Sequence, residues 1–167
     1  MTLAELNALP PERAREELLR CCGCASWADA VAAARPFKDE AALLAAADAA
    51  WARTGEAEWR EAFSHHPRIG GKDALRAKFA ATSAWAQGEQ AGAAAADEAT
   101  LDALAAANAA YEAKFGHIFI VCATGKSAAQ MLELLKARIG NGADAEKRIA
   151  AAEQAKITKI RLEKLLS

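Results

Sequence analysis

The chain has 167 residues, a mass of 17.6 kDa and a formal net charge of −1, from 21 Lys and Arg against 22 Asp and Glu. That length builds one sizeable core, and the balanced charge supplies no basic field of the kind that holds phosphate backbones, which excludes nucleic acid as the expected partner. No apolar run reaches the length of a bilayer crossing, and Met1 to Asn7 lack the basic start and apolar centre of a signal sequence, so no membrane partner and a cytoplasmic location are expected.

The hydrophobic fraction of 53% is inflated by alanine, which favours helix but buries little area per residue. The four Trp, five Phe, one Tyr and the Leu and Ile residues must therefore define the core. Thr2-Leu3-Ala4-Glu5 has the form of a capping box, which predicts a short helix from Leu3 stopped by Pro10-Pro11. Glu12 to Cys22 places Ala14, Leu18, Leu19 and Cys22 on one face and ends at Gly23. Ser26 is the predicted cap of a third helix with Trp27 and Val31, which must finish by Arg35 because Pro36 follows. Asp39 opens a longer helix carrying Leu43, Ala47 and Trp51, broken by Thr54-Gly55. From Glu56, Trp59 and Phe63 stand one turn apart and deliver the chain to His65-His66-Pro67. Cys21, Cys22 and Cys24 crowd together while Cys122 stands alone, a poor disulfide framework that also lacks the spacing of a zinc knuckle. Reduced thiols and no metal are expected.

Beyond Gly70-Gly71, Leu75 and Phe79 mark a short helix leading to Thr82 and Ser83, either of which suits the cap of a segment from Ala84 to Ala91. Asp97 to Phe115 is the clearest helix, since Leu101, Leu104, Asn108, Tyr111 and Phe115 recur at three and four residues. Gly116 closes it. Ile118 to Ala123 is short, apolar and β-branched, which predicts a buried extended segment; a lone strand has no sheet to satisfy its N–H and C=O groups, and a polar ligand is one source of partners. Ser127-Ala128-Ala129-Gln130 is a second capping box, opening a helix with Met131, Leu134, Leu135 and Ile139 inward and ending at Gly140-Asn141-Gly142. Asp144 is the predicted cap of the last helix, which carries Ile149, Ile157 and Ile160, with Arg161 on the border of its buried face. The fold class expected is all-α: a single-domain helical bundle over residues 1–167, of about eight to ten helices, with one short extended segment near 118–123.

His65-His66-Pro67-Arg68-Ile69-Gly70-Gly71 is where the chain stops reading as packing. Histidine exchanges a proton near neutral pH, and Pro67 biases His66 away from helical angles, so its imidazole belongs at a helix end facing a cleft. The glycines allow a sharp turn and close approach to a ligand. Isolated histidines are more often caps or surface residues; the neighbouring proline and glycines are what set this one apart. Gly125-Lys126-Ser127 suggests a phosphate loop, but such a loop needs glycine five residues before Gly125, and Ile120 stands there. Glu89, Gln90 and Arg161 read equally well as solvated helix-surface residues by spacing alone.

Short motifs separate these readings. His66-Pro67-Arg68-Ile69-Gly70, Gly88-Glu89-Gln90-Ala91, Lys114-Phe115-Gly116 running into Phe119-Ile120-Val121, Arg138-Ile139-Gly140-Asn141 and Ile160-Arg161-Leu162-Glu163 occur in that order. Across essentially the whole chain they resemble the 2-oxo-4-hydroxy-4-carboxy-5-ureidoimidazoline (OHCU) decarboxylase family of uric acid degradation. The resemblance implies an all-α enzyme that uses no cofactor, takes a small ureidoimidazoline substrate to (S)-allantoin and CO2, and forms homodimers. It places the catalytic residues at His66, Glu89 and Arg161. Substrate contacts fall at Pro67, at Ala86, Gln87, Gly88, Glu89 and Gln90, at Phe119, Ile120, Val121, Cys122 and Ala123, and at Arg161. One departure is Ala86, where many relatives have serine; Ser83 or Gln87 would then have to supply that contact. A lyase or hydrolase acting on another ureide or cyclic amide is the alternative that uses the same side chains, and an all-α module binding a partner helix through its Trp and Phe stripes is the non-enzymatic one.

Overall fold

The computed structural model describes residues 1–67, 71–83 and 93–167, and every structural statement below concerns them. Nine helices stand among those residues: α1 (Leu3–Ala8), α2 (Pro11–Cys21), α3 (Ala25–Ala33), α4 (Glu40–Ala52), α5 (Glu56–Ser64), α6 (Lys72–Ser83), α7 (Ala93–Phe115), α8 (Ala128–Ile139) and α9 (Ala143–Leu165). No strand occurs among them, in keeping with the all-α expectation.

Backbone contacts divide the chain into two compact units. The first comprises Met1–His66, Ile120–Cys122 and Lys147–Ser167, the second Pro67–Phe119 and Ala123–Glu146. In the first unit, Leu6, Leu18, Trp27, Val31, Leu43 and Leu162 are almost wholly excluded from solvent and share one core, each large side chain contributing about 1.5–3 kcal/mol by burial. Trp27 keeps its indole N–H satisfied by donating to Ala47 O at 3.0 Å, and Trp51 donates to Ala151 O at 3.0 Å, which ties α4 to α9. Arg35 donates to the carbonyls of Leu6 and Leu9 at 2.7 and 2.8 Å, closing the C-terminal end of α1. In the second unit α7 packs along α8 and against α6, with Leu75, Leu101, Leu104, Tyr111, Phe115, Met131 and Leu135 buried.

The capping boxes at Thr2 and Ser127 form as the sequence predicts, and Asp39 accepts from Ala42 N–H. Two caps differ. The residue before α3 is Cys24, which makes no side-chain cap; Ser26 lies inside the helix, and Ala25 N–H donates to Glu61 of α5 instead. Asp144 is likewise inside α9, because the helix begins one residue earlier, and there its charge faces the N-terminal dipole. α7 starts four residues before Asp97, since a run of alanine needs no amphipathic pattern to be helical.

The 118–123 segment is neither helix nor strand: Ile120 and Val121 are buried, while Ile118, Phe119, Cys122 and Ala123 are half-buried. The inward face of α9 also differs from the isoleucine reading. Ile149 is exposed and Ile157 and Ile160 are half-buried; Ala150, Ala151, Gln154, Thr158 and Leu162 make the buried face. The segment from Ala84 to Ala91 lies outside the described residues.

Candidate active site

α5 ends at Ser64, and His65 caps it with helical angles, its N–H bonded to the carbonyls of Ala62 and Phe63. His66 N–H donates to Phe63 O at 3.3 Å and then leaves the helix axis before Pro67. The turn is seated on Gly23. A Cβ built there would lie 2.4 Å from the His65 Cβ and 2.5 Å from its Cγ, so only glycine lets the turn approach.

The His66 ring is half-buried, and its Nε2 is hydrogen-bonded to Oε1 of Gln154 on α9. Gln154 is fully buried and donates through its own Nε2 to Thr158 Oγ1 at 3.1 Å. Thr158 is also buried. Arg161 donates to the carbonyl of Cys21 at 3.3 Å, a C-terminal helix carbonyl that favours a cation. Residues 154, 158 and 161 stand at i, i+4 and i+7 and therefore share one face of α9. Of the sequence-predicted residues, Arg161 thus belongs to this stripe of α9, and His66, from the turn after α5, bonds to it through Gln154. Glu153, next to Gln154, accepts from Cys122 N–H at 3.4 Å, which supplies a side-chain partner for a backbone group of the irregular segment.

Burial pushes the Cys21 thiol up to about 11 and the Cys22 thiol up to about 12, the latter against the opposing influence of the Thr158 hydroxyl. Both stay protonated at neutral pH, which removes them as nucleophiles. Among the described residues no group of His, Cys, Asp or Glu is arranged to hold a metal ion, and no helix is long and apolar enough to cross a membrane.

The second unit has its own buried polar cluster. Tyr111 donates to Glu146, Arg138 Nε donates to the same carboxylate at 2.8 Å and Asn141 at 3.0 Å. Burial opposes the Glu146 charge, but the hydrogen bonds from Arg138, Tyr111 and Asn141 hold its carboxyl below the usual range; burial first and then Glu146 itself raise the Tyr111 phenol. The Arg138 guanidinium lies 4.6 Å over the ring of Phe119, which also meets Tyr111 edge-on at 5.1 Å. This cluster fixes the predicted contact residue Phe119. Ile120 and Val121 are buried, Cys122 and Ala123 half-buried, and Pro67 is exposed. Ala86, Gln87, Gly88, Glu89 and Gln90 lie outside the described residues.

Gln154 and Thr158 are the polar residues that the sequence reading passed over. Their signal was present: two polar side chains one turn apart, aligned with Arg161 and flanked by small Ala150 and Ala151. Reading α9 for isoleucines obscured it.

Residues 7–163 match the family model described as OHCU decarboxylase. The chain is 38% identical over 159 residues to the "Uric acid degradation bifunctional protein TTL" of Arabidopsis thaliana, a match covering 93% of this chain and 48% of the relative. It is 32% identical over 101 residues to the "2-oxo-4-hydroxy-4-carboxy-5-ureidoimidazoline decarboxylase" of Amia calva, covering 60% of this chain and 57% of that one. The matches thus span about half the length of these curated relatives. A crystal structure of OHCU decarboxylase in the presence of (S)-allantoin superposes with a TM-score of 0.70 at 35% identity, covering 90% of this chain and 97% of that one. A crystal structure of (S)-allantoin synthase shares the fold, with a TM-score of 0.72 at 18% identity over 100% of this chain and 54% of that one.

Proposed function

Because this chain belongs to the OHCU decarboxylase family, we propose that it is a carboxy-lyase converting 2-oxo-4-hydroxy-4-carboxy-5-ureidoimidazoline to (S)-allantoin and CO2 in uric acid degradation. The substrate carries its carboxylate on a saturated ring carbon beside a C=N carbon. When the carbon–carboxylate bond breaks, its electron pair forms a C=C bond to the ureido-bearing carbon, the C=N pair moves onto the ring nitrogen, which takes a proton from solvent, and an enol remains. A proton then adds to the ureido-bearing carbon while the hydroxyl gives its own proton to solvent and becomes a carbonyl. The ring is its own electron sink, so the protein has two tasks: to hold the substrate in one orientation and to deliver the proton to one face.

His66 is the proton donor in this reading, and Arg161 binds an anionic or carbonyl oxygen through its planar fork. Glu89 and Gln90 take the ureido and ring N–H groups, with Pro67, Ala86, Gln87 and Gly88 around them. Phe119 supplies an aromatic wall, and backbone groups from Ile120 to Ala123 complete the contacts. The observation that supports the reading is the hydrogen bond from His66 to Gln154, which lies on the same face of α9 as Arg161. By family resemblance the enzyme works as a cytoplasmic homodimer, which light scattering checks for the assembly.

The deciding experiment supplies freshly generated substrate and follows allantoin by circular dichroism. Formation of the S enantiomer faster than the unaided racemic decay is the expected result. A rate and enantiomeric ratio equal to the blank would sink the assignment, and turnover of a different ureide in a panel of cyclic amides would replace it with the hydrolase or lyase alternative.

A further inference from the structure

A histidine that must protonate one face of a ring has to present one nitrogen in one plane. Its own rotamer does not secure this, because an imidazole can rotate and can place its proton on either nitrogen. Here the ring meets a side chain that is itself immobilised. Gln154 is fully buried, and its amide has two distinct ends, one accepting and one donating. The donating Nε2 is committed to Thr158 Oγ1 at 3.1 Å, and Thr158 is itself buried. In this arrangement the accepting Oε1 faces His66 Nε2. A carbonyl oxygen can only accept, so Nε2 must carry a hydrogen whether the ring is neutral or cationic. The charge of His66 then changes at Nδ1.

Resting on the decarboxylase reading, we propose that Gln154, locked by Thr158, is a positioning residue for His66: it fixes the Nε2–H tautomer and the ring plane, and so makes Nδ1 the nitrogen that exchanges the proton with substrate. A purely structural role for this pair is the poorer account. An aliphatic side chain would fill the same volume of α9 without the desolvation of a buried amide and hydroxyl. The polar stripe is also in register with Arg161, the other residue assigned to substrate.

Two measurements test it. The first is a long-range 1H–15N correlation spectrum of the histidines in the wild-type protein, assigned with His66→Gln and recorded above the pH at which the ring is cationic. His66 should show the Nε2-protonated pattern; an Nδ1-protonated pattern would overturn the proposal whatever the variants do. The second compares Gln154→Leu, Thr158→Val and Thr158→Ser with wild type. The first two should lose kcat by on the order of 10²-fold with KM changed less than twofold, yield allantoin of reduced S excess and show mixed His66 tautomers. Thr158→Ser, which keeps the oxygen, should retain wild-type kcat and tautomer. Folded Gln154→Leu protein with unchanged kcat and an unchanged tautomer would reject the role. If wild-type protein fails to turn over the ureidoimidazoline, the decarboxylase reading falls by itself, while the tautomer spectra still report whether Gln154 sets the ring.

Discussion

His66→Gln tests the proton-donor role most directly. General acid catalysis contributes about 10²- to 10⁴-fold, so this substitution should reduce S-selective turnover by that factor and leave the far-UV helical spectrum unchanged. Arg161→Ala should weaken turnover by raising KM, and an unfolded variant would instead make the guanidinium a structural cap for the Cys21 carbonyl. His66 was legible in the sequence because proline and glycine are chemically conspicuous next to histidine. Arg161 was not: among Lys156, Lys159, Arg161 and Lys164, periodicity offers no reason to choose, and the motif Ile160-Arg161-Leu162-Glu163 made the choice. Gln154 and Thr158 escaped because a search for apolar period treats a buried amide as noise, although burial among partners is what gives it meaning.

Among the elements, the junction between α2 and α3 supports the turn after α5. Gly23 was read as a helix stop, but the structure gives it a second function as the floor beneath His65. Gly23→Ala should cost about 1–3 kcal/mol, the usual range for overpacking, and should lower kcat because the displaced turn carries His66. A thermal midpoint and kcat both equal to wild type would show that the turn yields freely.

α7, α8 and the start of α9 are joined by the Glu146 cluster, in which the carboxylate is wholly buried and Arg138 nearly so. Removing one partner of such a pair costs about 3–5 kcal/mol, so Glu146→Gln should lower the urea midpoint by the equivalent of that loss. The pH dependence has a definite sign. A carboxyl held below its ordinary value stabilises the fold at pH above the unfolded carboxyl pKa, and that contribution is lost as pH falls through the folded value. The acid limb of the stability curve should be shallower in Glu146→Gln than in wild type. Helix ends were legible where a full capping box stood, at Thr2 and Ser127, and misread at Ser26 and Asp144, where an eligible side chain lay one or two residues inside the helix.

For the molecule as a whole, the helical class followed from alanine content and three-to-four-residue spacing. The division into two units did not, because local periodicity carries no record of which distant segments share a core. The buried thiols give the whole fold an alkaline limit. Cys21 and Cys22 stay neutral in the folded state to about 11 and 12, against an ordinary value of 9.0. Their stabilising contribution is therefore complete below the unfolded thiol pKa and declines as pH rises from there toward the folded values. Urea titrations from neutral pH to pH values beyond 9.0 should show this decline, and Cys21→Ala should make it less steep; parallel curves would assign the loss to other groups.

Leu162, near the far end of α9, completes a core whose other members include Leu6, Leu18, Trp27 and Leu43. During synthesis, the helices before α9 must wait with their apolar sides uncovered until Leu162 has been added, more than a hundred residues after Leu43. Nascent chains of this protein should accordingly depend on chaperone shielding, and the first unit should acquire protease resistance only once α9 has emerged.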